Sequence, residues 1–375
     1  MDDGTKIEIR IEKSAASGEF SIVLARELSG SYPGWAKGSF IFTRAISGGA
    51  PLRIRIFLLN DPYTYIQFRP NGNEKSFMDV VIYNAYMAQS VSVPLPINRI
   101  LTAPLDEVLT IADREYPLKY FEIEPDNYLD TRSLIEKIRK NIKGLEFADD
   151  GAIDENGNYV FINDLSAQKD NVGLNCSGFS KWLVDGILHP ITGTRLEINK
   201  LKQPFGERGS SLTAPYEPIR DPFFGLDWIR NLASAVGTAF KSPVFGELEE
   251  IEVRQSPFAS VIIRGARTSQ VKLYPGFLPN AGYGFEGLQA LLWTLAIDEP
   301  GYIYLGAVNN ELRPKPRMRQ YFHIAALIPY FDEQSVFHIA VFESAVETQF
   351  SRFRNRYPDH YINLVRLPIE SAFEP

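Results

Sequence analysis

The sequence predicts an α+β chain built as two domains, and three observations carry that reading. The first 115 residues break into short alternating or apolar runs divided by Gly, Pro and Asn turns. Two stretches of helical periodicity follow, one of them opening at the only cysteine. From about residue 300 the chain returns to apolar strand-like segments joined by polar turns. At 375 residues, with 45% hydrophobic and 23% charged residues, it has material for two or three domains, each with a core.

In order along the chain, "KIEIRIEK", "FSIVLAREL", "GSFIFTRAI", "PLRIRIFLL", "TYIQFRP" and "MDVVIYNAYM" read as six strands, with a hairpin through Asn71-Gly72. This spacing predicts a small all-β sandwich or barrel over residues 1–115, followed by a linker at 116–129. The second domain spans 130–375. Its first helix is expected to be capped by Asp130 or Thr131, with Leu134, Ile135, Ile138 and Ile142 on its apolar face. "GAIDENGNYVFINDL" reads as a hairpin turning at Asn156-Gly157. Its Asp154, Asn156, Asn158 spacing resembles the start of a calcium loop, but Tyr159 stands where glycine is needed and Leu165 where the bidentate glutamate belongs.

Residues from about 190 to 280 form a Pro-rich insertion expected to cap or flank the core, with a helix in "GLDWIRNLASAVGTAF" and strands in "EEIEVRQ" and "ASVIIRGAR". Gly282, Gly284 and Gly287 then match Gly-x-Gly-x-x-Gly. The preceding "YPGFLPNA" is a loop rather than the buried strand a dinucleotide site requires, so a second core helix is expected and no cofactor. Four strands close the chain: "GYIYLGAVN", "QYFHIAALIPYF", "SVFHIAVFESA" and "YINLVRLP".

Composition narrows the function classes. A net charge of −7 without a long basic run argues against a nucleic-acid partner. One cysteine excludes an internal disulfide framework and a cysteine-rich zinc site, and no metal is expected. No run of eighteen apolar residues is present, so no transmembrane segment is expected. "MDDGTKIEIR" lacks the features of a signal peptide, which leaves either a cytoplasmic protein or an export signal absent from this chain.

That cysteine sits in "NVGLNCSGFSKWLVDGIL", where Phe179, Trp182, Leu183, Gly186 and Ile187 mark a core-facing helix stripe. Cys176 therefore falls at the first turn, where unpaired N–H groups and the positive end of the helix dipole stabilise a thiolate. A lone cysteine is also a common small core residue. A catalytic thiol needs a base, and the base needs an orienting group. Of the four histidines, His189 and His360 read as surface residues, whereas His323 and His338 lie in strands. A hairpin turning within Asp332 to Gln334 places His323 opposite Phe342 or Glu343. His338 then lies opposite Leu327 or Ile328, roughly 15 Å from His323 at about 3.3 Å per residue. The favoured constellation is Cys176, His323 and Glu343, with His338 as the alternate third member should a bulge intervene.

These residues carry a family resemblance. "LNCSGFSKWLV" resembles the cysteine-helix start of the NlpC-type bacterial cell-wall cysteine peptidases, members of the papain-like superfamily; "FHIAALIPY" is similar to their histidine strand and "VFESA" to the next. The resemblance spans about 130–190 and 285–370. Asn175 replaces the usual acidic residue before cysteine, and the family's upstream Tyr and Gly-Gly run are missing. It implies a papain-like domain over 130–375, its antiparallel sheet packed on the cysteine helix. It also implies a thiol hydrolase cleaving an amide bond in a peptide or peptidoglycan stem peptide, with Cys176 as nucleophile, His323 as base and Glu343 orienting the ring. The expected setting is the bacterial periplasm or cell envelope, where the N-terminal domain would bind an envelope partner. Two other readings stand beside it: a non-catalytic binding or scaffolding protein that keeps the fold, and a thiol acyltransferase or lipid hydrolase of the same superfamily.

Overall fold

The computed structural model describes every residue except 1–5, 15, 171, 207, 210–211, 241–246, 255–257, 259, 262, 265–270 and 273–275. The chain is mixed α and β and divides into two units, residues 1–123 with 257–274, and residues 124–256 with 275–375.

The first unit is dominated by one antiparallel sheet in which β1 (Ile7–Ser14), β2 (Glu19–Arg26), β3 (Phe40–Ala45), β4 (Pro51–Ile56), β5 (Tyr65–Asn71), β6 (Lys75–Ile82) and β7 (Ala85–Val93) pair strictly in chain order. The six strands expected over residues 1–115 are seven, and they form a meander. "MDVVIYNAYM" is two strands rather than one, because Tyr83 and Asn84 both take positive φ (44° and 66°) and turn the chain back on itself. Helices α1 (Ile97–Thr102) and α2 (Leu105–Glu115) complete the segment.

In the second unit, a 3₁₀ turn at Pro125–Tyr128 runs into α3 (Leu129–Asn141). The helix starts earlier than expected, with Tyr128 at the cap, because that turn already points the chain along its axis. Asp130 falls in the first turn, and Thr131 is buried with Leu134, Ile135 and Ile138. Strands β8 (Gly151–Ile153) and β9 (Tyr159–Phe161) form a hairpin. Its turn consumes the Asp154 carboxylate, which accepts the N–H groups of Asn156 (2.9 Å) and Asn158 (2.7 Å).

Helix α4 (Cys176–Thr192) continues through Pro190 to a left-handed Gly193, so His189 lies inside it rather than beyond it. Then come α5 (Ile198–Leu201), α6 (Phe224–Ala239) and α7 (Leu248–Ile251). The expected strand in "EEIEVRQ" is instead α7 followed by a single bridge from Glu252 to Val365. "ASVIIRGAR" lies partly outside the described residues. Its described parts are β10 (Ser260–Val261), which pairs with β7, and β11 (Ile263–Arg264), which pairs with β12 (Val271–Lys272).

The remaining elements are β13 (Tyr283–Gly284), α8 (Leu288–Asp298), β14 (Tyr302–Asn309), β15 (Tyr321–Phe331), β16 (Phe337–Glu343), β17 (Val346–Gln349), α9 (Phe350–Arg356) and β18 (Tyr361–Pro368). They build an antiparallel sheet of order β13-β18-β14-β15-β16-β17. Gly282 of the Gly-x-Gly-x-x-Gly match has φ 93°, and a Cβ there would stand 2.1 Å from the Ile362 carbonyl oxygen. The glycine serves close approach of backbone to β18.

The main core joins α4 and α6 to this sheet through Phe179, Leu183, Trp228, Ile229, Leu232, Leu305, Ile324 and Ala326. Helix α6 is therefore core and not a flanking cap. Five of its residues, from Leu226 to Ala233, are fully buried hydrophobics, and the Trp228 indole donates to the Ser177 carbonyl (3.0 Å) and the Ser180 hydroxyl (3.1 Å), bracing the first turn of α4.

Candidate active site

The start of α4 is fixed from three directions. The Asn175 side chain caps it by accepting the Gly178 N–H at 2.8 Å. The Asn175 N–H in turn donates to the Gly151 carbonyl of β8 at 3.0 Å. Gly178 permits this approach, since a Cβ there would meet the Gly151 carbonyl oxygen at 2.0 Å. The buried Gln168 holds the preceding loop, donating to the carbonyls of Val160 (2.8 Å) and Gly173 (3.2 Å) and accepting the Gly173 N–H (2.8 Å). Because Asn175 takes the N–H groups of Gly178 and Phe179, those of Cys176 and Ser177 are left at the helix mouth. Cys176 is half-buried there.

His323 lies near the start of β15 and Glu343 at the end of β16. The hairpin between them turns over Asp332–Val336, closed by the pair Phe331↔Phe337 and by Asp332 N–H to Val336 O at 3.0 Å. The turn is longer than expected because the Asp332 carboxylate gathers the N–H groups of Gln334 and Val336. The pairing therefore runs through Ala326↔Phe342, and His323 is not directly opposite Phe342 or Glu343. A shift of two residues preserves the face, so His323 and Glu343 meet on a diagonal, with His323 Nε2 2.6 Å from Glu343 Oε2. The other ring nitrogen, Nδ1, is free of Glu343, and Cys176 and His323 line the same cleft close enough to shift each other's pKa.

His338 stands apart from this group. It lies opposite Tyr330, not Leu327 or Ile328; its Nε2 is 2.8 Å from Asp332, and its ring stacks on Tyr330. No bulge brings it to the cysteine, so it does not supply a third member. His189 and His360 are half-buried rather than surface residues, and neither joins the group; His189 lies 3.6 Å from Glu374.

Three residues that the sequence did not point to complete the surroundings. Arg356, at the end of α9, donates from both terminal nitrogens to Glu343 (2.8 and 3.0 Å). Thr348 of β17 donates its hydroxyl at 2.7 Å. The Tyr357 ring lies 5.9 Å from that of His323. The "SA" after Glu343 gave no signal for Thr348: Ser344 and Ala345 both take positive φ, which neither residue type favours, and the resulting turn folds β17 back along β16.

The electrostatics follow from these contacts. Burial pushes the Glu343 carboxyl up, but hydrogen bonds from His323, Thr348 and Arg356 overcome it and bring the pKa down to about 2. Burial likewise disfavours the charged imidazole, yet its partners Cys176 and Glu343 raise the His323 pKa to about 9. Burial opposes the Cys176 thiolate; the hydrogen bond and charge of His323, with the Ile324 backbone and Ser177, outweigh it, so the thiol lies below its ordinary value of 9.0. Each shift favours the charged form of its group, with the imidazole anchored on the Glu343 carboxylate.

The pair faces a cleft of about 940 Å³ lined by Asp150, Asn163, Lys202, Tyr216, Arg220, Arg319 and Phe322, among others. Among the described residues, no group of three or more His, Cys, Asp or Glu is arranged to hold a metal ion, and no helix is long and apolar enough to cross a membrane.

A family described as a domain of unknown function (DUF8515) matches residues 1–120, stopping short of α4 and the cysteine. No curated protein and no solved structure matches the chain.

Proposed function

We propose that the second unit is a papain-like thiol hydrolase. The observation that carries this reading is the pairing of a cysteine at a capped helix start with a histidine whose far nitrogen is held 2.6 Å from a buried carboxylate. A structural cysteine has no need of a polarised imidazole, nor that imidazole of a carboxylate clamped by Arg356 and Thr348.

In the proposed reaction the Cys176 thiolate attacks a carbonyl carbon, and the oxyanion is received by the N–H of Cys176 at the helix mouth. The His323 imidazolium gives its proton to the departing amine, leaving a thioester and a neutral ring. His323 then takes a proton from water, the hydroxide displaces sulfur, and the pair is restored. Glu343 stays ionised throughout and stabilises the imidazolium.

From the NlpC-type resemblance, the substrate class is an amide in a peptide or peptidoglycan stem peptide, in the bacterial envelope. The test is incubation of purified protein with stem-peptide fragments and with a panel of simple amide and ester substrates, following release of new amines or acids. The reading expects turnover by the wild type and none by Cys176→Ala. No turnover of any substrate, with Cys176 unreactive toward alkylating agents, would reject it.

A further inference from the structure

Among the described residues strand β1 is an edge of its sheet, and its composition is unusual for one. Among the described residues it pairs on one side only, with β2. Its odd-numbered residues Ile7, Ile9 and Ile11 are 55%, 69% and 63% exposed. An exposed apolar edge is normally blunted by bulges, proline or inward charge, because its free N–H and C=O groups invite another strand. β1 has no bulge or proline over Ile7–Ser14 and pairs with β2 in unbroken register; its one inward charge, Arg10, lies opposite Val23 and donates to the Tyr32 carbonyl at 2.8 Å.

We infer that β1 is a self-pairing surface, on which a second copy of this chain adds its own β1 antiparallel about a two-fold axis at Ile9. The occupant is identified by charge. From Lys6 to Glu12 the residues read Lys, Ile, Glu, Ile, Arg, Ile, Glu. With Ile9 on the axis, Lys6 of one copy faces Glu12 of the other, Glu8 faces Arg10, and Ile7 faces Ile11. Every charged residue meets its opposite and every isoleucine meets an isoleucine. Neighbouring registers lose this match. An axis at Arg10 sets Arg10 on its own copy and Glu8 on Glu12, and an axis at Ile11 sets Ile9 on Lys13.

The backbone agrees with this register. Glu27 N–H donates to the Lys6 carbonyl at 3.0 Å, so the even-numbered residues turn their backbone groups toward β2. The odd-numbered ones therefore point theirs at the free edge. In the proposed dimer these are the hydrogen-bonded pairs, Ile7 with Ile11 and Ile9 with Ile9. The charged residues take the closer, non-hydrogen-bonded positions, where side chains approach best. Within one copy Arg10 already draws Glu8 (2.8 Å) and Glu12 (2.7 Å) along the strand. Pairing would add the opposite charges of the second copy to this row. The contact is isologous and closes at two.

The experiment is sedimentation equilibrium of the full chain, under reducing conditions so that Cys176 cannot link copies, from low micromolar to about 100 µM. The wild type is expected to form a dimer that dissociates on dilution. Ile9→Lys, which sets two ammonium groups on the axis, should abolish it. Arg10→Glu sets Glu against Glu twice and should weaken association about tenfold or more. Glu8→Arg combined with Arg10→Glu restores opposite charges across the axis and should recover most of the lost affinity. Thermal melts of each variant check folding: Glu8 and Ile9 are exposed, while Arg10 is partly buried and donates to the Tyr32 carbonyl. A wild type that stays monomeric throughout, or a dimer indifferent to Ile9→Lys, would overturn the inference. A dimer weakened by Arg10→Glu but not recovered by the double exchange would overturn the register.

Discussion

Replacing Glu343 by glutamine isolates the role of the carboxylate, because it keeps the shape and removes the charge. In the wild type His323 titrates at about 9 against an ordinary 6.5. At about 1.4 kcal/mol per pH unit this is about 3 kcal/mol in favour of the charged ring. Burial works against that charge, so the favourable share must come from Cys176 and from Glu343 at 2.6 Å. Glu343→Gln removes one of the two supports while leaving the burial, and the His323 midpoint should fall back toward 6.5. Arg356 loses its partner but is nearly half exposed and can be hydrated, so the fold should survive. The assay is NMR titration of the His323 ring protons in the two proteins. A midpoint near 9 in both, or near 6.5 in the wild type, would refute the reasoning, since either result would mean that the carboxylate does not hold the imidazolium.

Acid should test the same anchor from the other side. Glu343 is depressed from 4.5 to about 2 on folding, so its contribution of about 3 kcal/mol is full above pH 4.5 and is lost as pH falls toward 2. Urea midpoints measured down that range should drop more in the wild type than in Glu343→Gln. Asn175→Ala removes the cap of α4 and should cost about 1 kcal/mol in thermal melts, with slower alkylation of Cys176. The buried pair Lys181–Asp185, at 2.6 Å in the body of α4, should behave asymmetrically. Asp185→Ala alone should cost about 3–5 kcal/mol, whereas Lys181→Met with Asp185→Leu should be far milder in chemical denaturation.

The sequence made some parts of this molecule readable and hid others. Cys176 could be placed at a helix start because the stripe from Phe179 to Ile187 and the polar run before it are both local signals. The sequence left two registers open, of which only the one setting His323 against Glu343 puts them on one face; that parity survived a loop longer than expected, because strand faces repeat every two residues. The register itself was not legible, since the loop length depends on how the Asp332 side chain binds the backbone. The break at Tyr83–Asn84 was hidden because Asn84 is the one turn residue in "VVIYNAYM", and its neighbour Tyr83 is of a type that rarely takes positive φ. Helix α6 was mistaken for a flanking cap because a proline-rich approach suggested an excursion, while its burial depends on α4 and the sheet lying close by. Arg356 and Thr348 lay beyond reach, because only the folding of β17 and α9 brings them onto Glu343.

The central claim is that His323 makes Cys176 a nucleophile. The most direct test is the rate of Cys176 alkylation against pH in the wild type and in His323→Ala, which needs no substrate. A wild-type thiol that reacts rapidly well below pH 9, and loses that advantage without His323, is the expected result. A thiol that resists alkylation in both proteins until they unfold would make Cys176 a core residue and would contradict the proposed chemistry.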